Sequence, residues 1–129
     1  MRFAPDVAAR LTSWASAHPG LSLSSAANRL VDEALRTEEH PGIVFRPGAT
    51  GRRAGLVGGP DVWEVVRAVK SARETEPELA EAEILQLVSR NTGVPGRLVQ
   101  VAVRYWASYP EDINAEIHAG EVAEQQAEA

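Results

Sequence analysis

The sequence predicts a mainly α-helical protein that carries one short β-hairpin. Apolar residues recur at helical spacing along most of the chain, and the run from 43 to 57 reads as two strands around a Gly-rich turn. Aromatic residues make up only 5% of the sequence, so the core must be aliphatic and small. We expect a dimerisation segment at 1–40, a hairpin with three helices at 41–109, and an acidic C-terminal helix at 110–129.

The first segment contains two predicted helices. The first has an apolar stripe made by Val7, Leu11 and Trp14. The second is capped by Ser22 or Ser24 and runs to about Glu39. Its apolar face consists of Ala27, Leu30, Val31, Ala34 and Leu35. About forty residues cannot bury enough surface to fold alone, so this segment needs a second copy or the rest of the chain.

Two runs of this segment, Arg2-Phe3-Ala4-Pro5-Asp6-Val7 and Pro19-Gly20-Leu21-Ser22-Leu23-Ser24-Ser25, resemble the ribbon-helix-helix repressors. In that family two chains interlock, a paired ribbon enters the major groove of DNA, and the second helix grips a phosphate. The resemblance implies that Arg2 lies on the ribbon and that Ser24 faces a phosphate. The stretch before the first helix is shorter than the family's ribbon. Either the true start lies upstream, or the protein keeps the dimerising helices and has lost the DNA-reading strand; we favour the second.

A hairpin and a third helix follow the break at His40-Pro41-Gly42. The strands are expected at 43–46 and 52–57. Three arginines on this hairpin, Arg46, Arg52 and Arg53, are expected to be solvated, with phosphate or an acidic protein surface as the alternative. The helix is expected to end in a solvated connection at 70–78 and to bury Val62, Trp63, Val65, Val66 and Val69.

The stretch from Ala80 to Ala107 predicts a helix-turn-helix. With the hairpin and the third helix it gives a trihelical, winged-helix-like domain in which the hairpin comes first. Gly93 supplies the positive φ of a sharp helix exit, and Pro95 is expected at the first position of the second helix. The apolar faces are Ile84, Leu85 and Val88, then Leu98, Val99, Ala102, Val103 and Trp106. The opposite side of the second helix carries Arg97, Gln100 and Arg104 at spacings of three and four. These side chains could contact the bases and phosphates of DNA. A plain packed helical corner is the alternative.

Four runs between residues 41 and 118 carry a second resemblance: Pro41-Gly42-Ile43-Val44-Phe45-Arg46, Gly51-Arg52-Arg53, Gly59-Pro60-Asp61-Val62-Trp63-Glu64-Val65-Val66 and Tyr105-Trp106-Ala107-Ser108-Tyr109-Pro110-Glu111-Asp112-Ile113. Together they resemble the VapB-like antitoxins, small bacterial proteins with a short hairpin and a three-helix domain. The resemblance implies a type II antitoxin that silences a PIN-like ribonuclease toxin and, as a homodimer, represses the shared operon.

The net charge of −5 is unevenly distributed. Residues 1–42 carry four Arg and five acids, 43–109 carry nine Lys/Arg and seven acids, and 110–129 carry six acids alone, so the segments contribute −1, +2 and −6. An acidic tail suits the basic surface of an RNA-cleaving toxin. The expected toxin contacts are Ile113, Glu116, Ile117, Glu121 and Val122. The alternatives are a solubilising tail and a helix packed on its own domain.

The sequence contains no recognisable catalytic constellation. It has no cysteine, and His18, His40 and His118 stand far apart without partners at metal-ligand spacing. We therefore expect no enzyme activity, no cofactor, no metal and no membrane segment, and a cytoplasmic location. The alternatives to an antitoxin are a stand-alone DNA-binding regulator and a protein-interaction module that does not read DNA.

Overall fold

The computed structural model describes residues 2–48 and 51–128. Within them the chain is mainly helical with one two-stranded antiparallel hairpin, as the sequence predicts. The elements are α1 (Pro5–Ser16), α2 (Leu23–Glu39), β1 (Ile43–Gly48), β2 (Gly51–Leu56), α3 (Val62–Thr75), α4 (Glu81–Thr92), α5 (Gly96–Ser108) and α6 (Pro110–Glu128). They form two compact units, a first unit of Met1–Glu39 and a second unit of His40–Ala129. The helix expected as a separate tail is part of the second unit.

The first unit is a pair of helices with little core of its own. Ser22 caps α2, because its Oγ accepts a hydrogen bond from the backbone N–H of Ser25 at 3.1 Å. Leu11 and Ala26 are the buried residues of α1 and α2. Larger apolar side chains are left in solvent, among them Phe3, Val7, Leu23, Val31 and Leu35.

Between α1 and α2 lies an apolar groove of about 400 Å³, whose lining includes Leu11, Trp14 and Leu30. Apolar surface of this kind lowers the free energy when it is covered, at about 25 cal/mol per Å². The described residues of this pair therefore leave an apolar face in solvent.

The hairpin is longer than predicted. β1 pairs with β2 from Ile43 opposite Leu56 to Gly48 opposite Gly51, so both strands extend further into the Gly-rich turn than expected. Val57 lies beyond the end of β2, although it was expected inside the strand. The turn residues Ala49 and Thr50 fall outside the described residues.

Helix α3 is the centre of the second unit. Its five predicted core residues, Val62, Trp63, Val65, Val66 and Val69, are all buried. The backbone N–H of Asp61 donates to Glu64 Oε2 at 3.2 Å, which fixes the start of the helix. The helix continues to Thr75, so the expected solvated connection begins later than predicted, because Ala72 is also buried and extends the apolar face.

Helices α4 and α5 are joined by the tight turn that the sequence predicts. Gly93 adopts φ 77°, a conformation that side chains with a Cβ rarely take, and Ser89 Oγ donates to the carbonyl of Val94 at 2.6 Å. Pro95 is the residue before the helix, so α5 begins one residue later than expected. Tyr105, which the helical pattern had not placed in the core, is 1% exposed.

Helix α6 packs against α3 and α5 and completes the core. Ile113 and Ile117 are buried, and Trp106 Nε1 donates to Asn114 Oδ1 at 3.0 Å. Gly120 lies inside this helix and does not interrupt it. A Cβ at this position would lie 2.5 Å from the ring of Trp63, so the missing side chain is what allows the helix to approach α3. None of the described helices combines the length and the apolar character needed to cross a membrane.

Candidate nucleic-acid interface

The predicted DNA-contact residues of α5 are on the surface of the second unit. Arg97, Gln100 and Arg104 are all exposed, while Leu98, Val99 and Ala102 of the same helix are buried. Spacings of three and four place the three polar side chains on one side of the helix. The amphipathic pattern therefore separates a core face from a cationic face, and the sequence predicted both.

Apart from Arg90, the other arginines and lysines in the described part of the second unit each have a partner. Arg46 Nη2 lies 3.4 Å from Asp61 Oδ1, and Arg53 Nε lies 3.1 Å from Asp61 Oδ2. These two hairpin arginines are therefore paired within the protein, which corrects the expectation that they are simply solvated, and Arg52 also has an interaction partner.

The cations of α3 are engaged as well. Arg67 pairs with Glu124 of α6 at 2.6 Å, and Arg73 Nε donates to Glu81 Oε2 at 3.3 Å. Lys70 Nζ lies 5.9 Å from the ring centroid of Trp106. In the described part of the chain, the cations of this unit without such a partner are Arg90, Arg97 and Arg104.

Arg90 was missed by the sequence reasoning. It is exposed in the last turn of α4, and together with Gln86 it lines one side of a surface groove whose other side carries Arg97 and Gln100. The helical spacing of Gln86 and Arg90 could have shown that they share one side of α4. The sequence does not show that this side faces α5, because that depends on the tertiary packing of the two helices.

The other predicted DNA contacts, Arg2 and Ser24, belong to the first unit. Arg2 is exposed and lies outside any strand, and Met1 falls outside the described residues. Ser24 is exposed in the first turn of α2, and it lines a shallow surface depression with Asn28 and Arg29.

The predicted toxin contacts on α6 divide into core and surface. Ile113 and Ile117 are buried in their own unit, so a partner cannot reach them in this arrangement; their apolar stripe is covered by α3 and α5. Glu121 is exposed and Val122 is half-buried. Glu116 is also half-buried, and its Oε1 atom is buried without a hydrogen-bond partner among the described residues.

The environment of Glu116 changes its proton affinity. The carboxyl borders a cavity of about 230 Å³ together with Arg53, Trp63 and Glu124. Burial raises the pKa of Glu116 from its ordinary 4.5 to about 7, Arg53 opposes this rise, and Asp61 and Asp112 add to it.

No group of three or more potential metal-ligating side chains occurs in residues 2–48 and 51–128. No protein-family model, no curated protein and no solved structure matches this chain.

Proposed function

We propose that this protein is the antitoxin of a type II toxin–antitoxin pair, a non-enzymatic cytoplasmic homodimer that neutralises a PIN-like ribonuclease and represses its own operon. The proposal combines the resemblance to VapB-like antitoxins with the distribution of charge on the second unit. Its main support is the set of unpaired cations on α4 and α5, in a protein whose net charge is −5. Acidic side chains neutralise other cations of this unit but not these arginines. The arginines are therefore free to bind a polyanion.

In this proposal α4 and α5 act as a helix-turn-helix, with α5 as the recognition helix and the hairpin in the place of a wing. The first unit acts as a ribbon-helix-helix-like dimerisation segment. Its exposed apolar residues, including Val31 and Leu35, would be covered by a second copy. A two-fold dimer would present two recognition helices to two half-sites of an operator.

The DNA-binding half is tested by gel shift with the DNA upstream of the protein's own gene. Arg97→Ala plus Arg104→Ala should abolish the shift. The matched control is Lys70→Ala plus Arg10→Ala, which removes two charges elsewhere and should leave the shift in place. Retained binding by the first pair of substitutions would remove α5 from the recognition role.

The toxin-binding half uses the outer side of α6. Since Ile113 and Ile117 are in the core, a deletion of this helix would unfold the unit instead of testing the contact. A single exposed charge is the sharper probe. Glu121→Lys should weaken rescue from the toxin encoded by the adjacent gene on co-expression, while Glu74→Lys on α3 should not. Equal rescue by both variants would exclude the outer face of α6 as the toxin contact.

A second candidate is a stand-alone DNA-binding regulator without a toxin partner. The burial of Ile113 and Ile117 favours it, because the apolar stripe of α6 is already used inside the protein and needs no partner to cover it. The absence of any ribonuclease among the proteins that co-purify with the tagged full chain, combined with specific binding to its own upstream DNA, would support this candidate.

A further inference from the structure

A surface groove between α4 and α5 is lined by uncharged and cationic residues. Its volume is about 710 Å³. Ala82, Leu85 and Gly96 contribute to its lining without charge. A Cβ placed on Gly96 would meet no atom within 4 Å, so the space above the start of α5 is open.

The walls carry cations and no acids. Arg90 of α4 and Arg97 of α5 stand at the two sides of the turn, and the acids of α4 are engaged elsewhere. Glu81 pairs with Arg73, and Glu83 Oε1 accepts a hydrogen bond from the backbone N–H of Ala80 at 2.9 Å. The first turn of α5 contains no acid either. The positive potential in the groove is therefore not neutralised from within the protein.

One further exposed cation, Arg104, lies beyond the groove on the same helix. Arg104 lies seven residues after Arg97 on α5, a rise of about 10.5 Å along the helix axis. An extended polyanion can contact cations this far apart at the same time, whereas a single small anion cannot. The backbone of duplex DNA is such a polyanion, with one phosphate for about every 3.4 Å per strand.

We infer that this groove seats one phosphodiester backbone of duplex DNA, with Arg90 and Arg97 holding phosphates from opposite walls and Gln100 reaching a base edge. The assignment rests on the proposed DNA-binding function and adds two things to it: Arg90 is part of the interface, and Arg97 contacts phosphate instead of base. Phosphate contacts add affinity for every sequence alike, whereas base contacts discriminate between sequences.

The test measures binding constants as a function of salt concentration, using the duplex upstream of the gene and an unrelated duplex of equal length. Arg90→Ala and Arg97→Ala should each reduce the steepness of log K against the logarithm of the salt concentration by about 1. Each should also lower the binding constants for both duplexes by the same factor. Gln100→Ala should leave this slope unchanged and reduce the ratio of the binding constants for the upstream and the unrelated duplex. Lys70→Ala, which removes a cation held at Trp106, is the charge-matched control and should change neither quantity.

The outcomes separate the two proposals. Failure of the unmodified protein to bind either duplex would overturn the proposed DNA-binding function, and this inference with it. Normal DNA binding with an unchanged slope for Arg90→Ala would overturn the inference alone. A loss of sequence preference in Arg97→Ala would overturn its phosphate role. Tighter binding to an RNA duplex of the same sequence would replace DNA as the ligand. Thermal denaturation of each variant identifies any loss of folding.

Discussion

Replacing Glu116 by Gln should stabilise the second unit at neutral and alkaline pH and leave it nearly unchanged at acid pH. Burial raises the pKa of this carboxyl to about 7, so the folded protein binds its proton more tightly than the unfolded chain does. Stability from the protonated carboxyl is then fully present below the unfolded pKa of 4.5 and is lost as the pH rises through about 7. Glutamine has the shape of the protonated acid and cannot ionise.

The size of the effect follows from the two pKa values. A difference of about 2.5 between them corresponds to roughly 3.4 kcal/mol at 1.36 kcal/mol for each pH unit. The side chain is only half-buried, and water screens its charge, so we expect about 1–2 kcal/mol above neutrality. For a unit of this size that is a rise in melting temperature of roughly 4–16 °C.

Thermal denaturation followed by far-UV circular dichroism, at about pH 5 and about pH 8, measures the difference. The control is Glu121→Gln, which removes the same charge from an exposed position on the same helix and should shift both melting temperatures equally. The reasoning is refuted if Glu116→Gln has the same effect at both pH values, because its stabilisation would then not depend on ionisation.

Three further substitutions test the packing and the assembly. Gly120→Val should lower the free energy of unfolding by about 1–3 kcal/mol in denaturant titration, since its side chain would overlap the Trp63 ring, whereas Ala115→Val on the exposed side of α6 should cost less than 1 kcal/mol. Asp61→Ala should cost about 1–2 kcal/mol by the same measurement, through the loss of the ion pairs with Arg46 and Arg53. Val31→Asp should convert a homodimer into monomers in sedimentation experiments.

The last two changes each have a matched control. Asp61→Asn keeps a side chain of the same shape and removes only the charge, so it should lose as much stability as Asp61→Ala; a clearly smaller loss would show that the ion pairs do not account for the effect. Thr37→Asp introduces the same charge at an exposed polar position of α2 and should leave the dimer intact. A monomeric parent protein, or a dimeric Val31→Asp variant, would contradict the proposed use of the apolar face.

Local sequence patterns predicted the helices and strands, because the formation of each element depends on residues that are close in sequence. The periodicity of Val62, Val65, Val66 and Val69 fixes the buried side of α3, and Gly93 marks the end of α4. These features need no knowledge of the rest of the fold.

The partners of these elements could not be predicted in the same way. Ile113 and Ile117 form an apolar stripe in the sequence, but the stripe does not say whether its own domain or another protein covers it. Likewise, the pairing of Arg46 and Arg53 with Asp61 joins residues that are distant along the chain. Such contacts form only when both strands of the hairpin lie beside the residue that precedes α3, so a single sequence leaves them open.

Under the proposed function, Asp61 would also limit where DNA can bind. By holding Arg46 and Arg53, one carboxylate masks two guanidinium groups that would otherwise form a second attractive surface on the hairpin. Asp61→Asn would unmask them, and the variant should bind unrelated duplexes more tightly at low salt while losing discrimination. Selectivity in this protein would then depend on an acid that never touches the ligand, because it keeps competing cations out of reach.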